Sequence, residues 1–175
     1  MSSVTRYDFF CKWALYAIAL IPAHILEFVV FSRFPLFGAT PLLLVVSALC
    51  VALLEGPAGG AGFGLFTALV WSASTPGDSG GIFVVLTFLC FFVGLASTRF
   101  LRQNFLGALL CSAVGLGVWE GLHIAVRLFS RVSSPAPLLR IALPEFLVSL
   151  AFLVVLYPLF RAVYQKVGGE KLANS

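Results

Sequence analysis

Residues 54–71 read LEGPAGGAGFGLFTALVW, a segment with one acid, one proline and five glycines inside an almost wholly apolar chain. Gly56, Gly60 and Gly64 fall four apart, and Ala52 and Ala68 extend the row at either end. On a helix, residues four apart share a face, so this face would be nearly bare of side chains. In lipid, such small-xxx-small faces let another backbone approach closely. The row 52/56/60/64/68 is therefore expected to dock a helix, either of a partner or of the same chain.

The rest of the sequence sets the solvent. Hydrophobic residues make up 61% of the chain, charged residues 10%, and the mean hydropathy is +1.06. A soluble domain would carry about 25% charged residues. Lipid is the expected surroundings, and 175 residues leave room for about six spans at roughly 20 residues each. The expected class is an all-α integral membrane protein, a single polytopic bundle covering residues 1–175. No internal repeat is visible, and no soluble domain of useful size is left over. The N-terminal MSSVTRYDFFCKW lacks the small-residue site that follows a signal-peptide core, and the apolar run continues through Glu27 to Phe31, which predicts a retained first helix.

The net charge of +4 does not indicate nucleic acid, because the basic residues cluster at the ends of apolar runs. The positive-inside rule and anionic headgroups account for them there. Cys11, Cys50, Cys90 and Cys111 are far apart and form no Cys-x-x-Cys pair, so neither a zinc ribbon nor a disulfide framework is supported. They read as small apolar packing residues.

Six helices are expected, over about 9–31, 41–55, 58–74, 81–98, 106–129 and 137–164. Pro41 suits a first helical turn. Gly56-Pro57 breaks the second helix, because proline disfavours helix at the residue before it. The second and third are short and tightly joined, so they form either a hairpin or one broken helix. The turn TPGDSGG offers Asp78 or Ser79 as N-cap of the fourth. Six spans put both termini on one side. Arg6, Lys12, Arg99, Arg102, Arg161, Lys166 and Lys171 would share it, seven residues against the four of Arg33, Arg127, Arg131 and Arg140. That bias favours cytoplasmic termini. Arg127, Arg131 and Arg140 make one outer loop basic, as a solvated loop or as a surface for an acidic partner.

Six polar groups fall in or beside apolar runs: His24, Glu27, Glu55, Glu120, His123 and Glu145. Such groups cost about 2.5–3.5 kcal/mol each at mid-bilayer when ionised and turn towards protein or water. His24-x-x-Glu27 and Glu120-x-x-His123 are mirror images, and residues three apart share a helical face. Paired Glu-x-x-His helices hold di-metal centres in soluble bundles, but no further cluster completes a ligand set. The plainer reading has each carboxylate serving its neighbouring histidine, or both pairs lying near the headgroups. No metal or other cofactor is expected. Glu55 reads as a turn residue or a cap on the next helix. Glu145 follows Pro144, which invites a kink, and Pro22 should bend the first helix.

Gly77-Asp78-Ser79-Gly80-Gly81 spells a serine-protease nucleophile sequence. The chemistry needs a histidine base and an orienting acid on a rigid frame, whereas here the string connects two apolar helices. It reads as a turn. Walker loops, His-Glu-x-x-His and nucleophile elbows are also missing from the sequence, so no enzyme is expected.

The middle of the chain, EGPAGGAGFGLFTALVW followed by a turn and GGIFVVLTFLCFFVGL, resembles the MreD family of rod-shape membrane proteins. The run LPEFLVSLAFLVVLYPLFRAVYQK is similar to that family's last helix and basic tail. The resemblance covers most of the chain in layout and about a third in residues. It implies a non-enzymatic six-helix scaffold of the bacterial cell-elongation complex. Such a scaffold binds the single-span protein MreC and links MreB filaments to peptidoglycan synthases. It also implies the fold of the substrate-binding subunits of energy-coupling-factor vitamin transporters, and such a subunit is the alternative function. One departure stands out. Many family members carry an acid just after the position of Trp71, where this chain has Ser72.

Overall fold

Gly56 reverses the chain. Its φ of 79° and ψ of −169° lie in a region essentially reserved for glycine. Pro57 lacks an N–H and disfavours helix at the residue before it, so one helical arm stops at Glu55 and another starts at Pro57. A methyl group placed on Gly60 would lie 2.7 Å from Ala52 Cβ and 2.8 Å from Ala52 Cα. In a continuous helix, eight residues would separate those positions by about 12 Å. The segment is a helical hairpin.

The computed structural model describes residues 3–35, 40–75, 81–100, 105–129 and 135–173. These hold α1 (Ser3–Ile25), which continues as a π-helical segment Leu26–Phe31, then α2 (Leu43–Ser74), α3 (Gly81–Phe100), α4 (Phe105–Phe129) and α5 (Pro135–Ala173). No strand occurs among the described residues. Among the described residues, five helices are long and apolar enough to cross a membrane, so what is described is an all-α bundle with multi-pass membrane character. The expected second and third helices are the two arms of α2, 43–55 and 57–74. The turn 76–80, with the Asp78/Ser79 cap and most of the GDSGG string, lies outside the described residues, as do the side chains of Arg127, Arg131 and Arg140.

Contacts fix the direction of each arm. On α1, Lys12 and Tyr16 meet Glu55 while Glu27 meets Leu44, so α1 runs antiparallel to arm 43–55. Ring contacts of Trp13 with Phe63 and Phe28 with Trp71 set α1 parallel to arm 57–74. α3 runs back along that arm, with Gly94 at Gly56 and Cys90 at Gly60 and Gly64. α4 brings Gly115 to Leu49 and Trp119 to Trp71. α5 returns beside α1, from Phe152 at Phe31 to Phe160 at Tyr16.

Arm 43–55 is the axis of the bundle. None of residues 42–54 is more than 6% exposed. At a rise of 1.5 Å per residue it is roughly 20 Å long, shorter than a hydrocarbon core of about 30 Å. Every other helix presents large apolar side chains outward, such as Ile18, Leu69, Phe88, Val114 and Val155. With lipid outside, burial from water gives no inward bias, and close packing holds the helices together.

Pro22 lies within α1 without ending it. Its missing N–H interrupts the hydrogen-bond ladder, and the widened segment 26–31 begins one turn later. The register of Glu27 changes there, which matters at the site.

Candidate functional site

The small-residue row does not form one continuous face. The reversal at Gly56 folds it: Ala52 lies on the central arm and faces Gly60 on the next. A continuous face is corrected to a three-way junction because Gly56-Pro57 cannot sustain a helix through the middle of the row. Gly60 and Gly64 also face α3. A Cβ on Gly60 would lie 2.9 Å from the Cys90 carbonyl, and one on Gly64 would lie 2.9 Å from Cys90 Sγ and 3.1 Å from the Leu86 carbonyl. Gly94 closes the junction, since a Cβ there would lie 2.5 Å from the Gly56 carbonyl carbon. Ala52, Gly56, Gly60, Gly64 and Ala68 are all buried. The row is filled by the chain's own helices.

The two ends of arm 43–55 are held by side chains from its neighbours. A helix N-terminus leaves its first N–H groups without intrahelical partners, and Leu42, at the cap position, has no side-chain oxygen to offer them. Glu27, 6% exposed, accepts from Leu44 N–H at 2.7 Å. Ser149 Oγ of α5 accepts from Leu42 N–H at 2.8 Å and donates to the Glu145 carbonyl at 2.6 Å. α1 and α5 thus cap a helix that cannot cap itself.

At the other end, Glu55 accepts from Lys12 Nζ at 2.6 Å and from Tyr16 O–H at 2.7 Å. Tyr16 is fully buried, and Lys12 lies 5.3 Å from the centre of the Tyr164 ring. Glu55 is therefore neither a solvated turn residue nor a cap on the next arm; it ties the hairpin to α1.

The first of the mirror-image pairs is split between two partners. His24 and Glu27 engage different arms, because the widened turn rotates Glu27 towards the start of arm 43–55. His24 Nε2 lies 3.3 Å from Ser74 Oγ, whose own hydrogen goes to the Val70 carbonyl. That network assigns the proton to Nε2. His123 Nδ1–H donates to the Trp119 carbonyl at 3.1 Å within its own helix. Glu120 is half-buried on α4 and Glu145 half-buried on α5. His24, Phe28, Trp71, Trp119 and His123 form a ladder of ring contacts, with centroids 4.6–6.1 Å apart. The histidines occupy its two ends. Among the described residues, no group of three or more His, Cys, Asp or Glu side chains is arranged to hold a metal ion.

Several residues carry this architecture without having stood out in the sequence. Ser149 and Tyr16 are single polar groups in apolar runs. Gly94 had a readable signal, since Leu86, Cys90 and Gly94 repeat the four-residue spacing of the row they meet. Gly117 and Gly121 on α4 show the opposite case: they are also four apart, yet nothing lies within 4 Å of a Cβ on either.

No protein-family model, curated protein or solved structure matches this chain.

Proposed function

We propose that this chain is a non-enzymatic membrane scaffold of the bacterial cell-elongation complex, similar to MreD, with six crossings and cytoplasmic termini. The observation that supports this reading best is where two intramembrane carboxylates go. Glu27 holds the start of the central arm and Glu55 ties its far end to Lys12 and Tyr16. Ionisable groups inside a membrane mark function by default; these two are committed to bonds that shape the bundle. The layout also agrees with the resemblance, since the glycine segment and the helix after it form one tightly packed unit. In this reading the single-span MreC-like partner meets an outer face of the bundle, because the glycine row is already filled from within.

Depletion in a rod-shaped host is the decisive experiment. The scaffold reading expects cells to round up and the single-span partner to co-purify with the tagged protein. Cells that keep their shape but lose uptake of one vitamin would sink it and favour the transporter subunit.

A further inference from the structure

His24 is the polar side chain by which α1 reaches the end of arm 57–74. Its Nε2 lies 3.3 Å from Ser74 Oγ, and one turn further on Phe28 meets Trp71 with ring centres 5.6 Å apart. The other ring nitrogen, Nδ1, is buried and has no hydrogen-bond partner among the described residues. Ser74 Oγ gives its hydrogen to the Val70 carbonyl at 3.0 Å, so Nε2 carries the ring proton and Nδ1 is a bare acceptor. The Val70 and Trp71 carbonyls of the arm's last turn are occupied, by Ser74 Oγ and by the N–H and Oγ1 of Thr75. Ile21, Phe28, Phe66 and Val70 make the rest of the surroundings apolar.

We propose that the His24–Ser74 contact is an acid-released latch: it closes on the neutral imidazole, and protonation of Nδ1 frees segment 24–31 of α1 from the end of arm 57–74. A second ring proton would place an N–H and a charge where no acceptor answers them, and an unmade hydrogen bond then costs the full desolvation of the group. With the latch open, water solvates the imidazolium. A proton therefore binds the open form better, and by linkage a fall in pH favours opening. No second titratable group shares the contact. Arm 57–74 carries no ionisable side chain. On α1, Glu27 is turned to Leu44 N–H, and the charge of Glu145 on α5 is felt at Glu27. On α4, which also carries Glu120, His123 stands at the far end of the ring ladder, beyond Trp71 and Trp119.

The test is hydrogen exchange, read by mass spectrometry, of the full-length protein in nanodiscs of zwitterionic phosphatidylcholine. Histidine changes charge between about pH 5 and 8, which sets the range to scan, with rates corrected for the intrinsic pH dependence of exchange. Peptides covering 22–31 and 70–75 should exchange about fivefold faster or more at the acid end, while peptides across the Gly56 junction should not change. His24→Gln and, independently, His24→Asn stay neutral and should remove the response. Glu27→Gln should keep it. Nitrogen NMR of histidine-labelled protein, with His123→Gln to assign the two rings, reads the proton directly. It should show Nδ1 bare at the alkaline end and both nitrogens protonated where exchange has risen. Each variant must match the wild type in circular dichroism and gel filtration; if neither His24 variant does, coincidence of the NMR titration with the rise in exchange in the wild type decides. A proton on Nδ1 at the alkaline end would overturn the proposal. So would exchange that ignores pH, that rises without protonation of His24, or that responds undiminished in the His24 variants.

Discussion

The two arms of α2 share a sequence neighbourhood and an apolar composition, yet they occupy opposite kinds of place. Arm 43–55 is enclosed on every side and presents no large side chain outward. Arm 57–74 is enclosed only along Gly60, Phe63, Gly64, Thr67 and Ala68 and shows Leu65, Phe66 and Leu69 to the surroundings. The enclosed arm has mostly bulky residues, with Ala52 as its point of close approach to Gly60. The open arm has glycines, and α3 and the first arm press against its backbone. In lipid, then, apolar character does not separate core from surface. Side-chain size does more, because small residues mark where backbones meet. The enclosed arm also depends on others for its caps, since a helix with no polar side chain at its start cannot satisfy its own N–H groups.

The largest expected effect comes from wedging the hairpin junction. Gly94→Leu places a side chain against the Gly56–Pro57 backbone, where neither element can yield. Overpacking of this kind costs about 1–3 kcal/mol or more, and thermal unfolding in detergent should show the folded form largely lost. Gly62→Leu on the open side of arm 57–74, with nothing within 4 Å, should melt like the wild type. Equal melting of the two variants would break the contrast between packed and open glycines.

Next is Gly56→Ala. Its Cβ would meet only Thr98 Cγ2 at an ordinary 3.5 Å, so backbone strain acts alone. A residue forced into that region costs about 1–3 kcal/mol. A lowered melting temperature is expected without loss of assembly, and an unchanged one would mean that the reversal tolerates side chains.

Glu27→Leu should follow. It leaves the Leu44 N–H buried without an acceptor, at about 1–3 kcal/mol, and hydrogen exchange at the start of arm 43–55 should speed up. Glu27→Gln keeps an acceptor and should recover most of the protection. If the two variants exchange alike, the capping role fails.

The smallest effect is expected at the other end of the arm. A double-mutant cycle of Lys12→Met and Glu55→Gln should give a coupling of about 0.5–3 kcal/mol. The lower part of that range is expected, because the Lys12 side chain is 23% exposed. Additive effects would show that the pair is incidental to holding the hairpin.

Much of this was readable in advance. Apolar runs gave the helices, and Gly56-Pro57 gave the break, since proline acts on its predecessor whatever surrounds it. The row 52/56/60/64/68 was recognisable as a packing face, but its fold into a junction depended on the same break. The polar candidates were less legible. His24 and Glu27 satisfy the spacing rule for a shared face, but the widened turn after Pro22 changed that face. Glu55 showed no partner in the sequence because Lys12 and Tyr16 lie about forty residues away.

The sequence by itself determined that this is a bundle of apolar helices reversed at one glycine, with small residues where helices meet. Those are consequences of local sterics and of solvent, which act on neighbours along the chain. Only the tertiary structure decided which arm is central, that α3 fills the glycine row, and that Glu27, Ser149, Lys12 and Tyr16 hold the ends of an arm from which they are remote. The physical reason is that apolar helices in lipid carry no inward-facing stripe, so their neighbours are chosen by shape and by the few polar groups that must find partners.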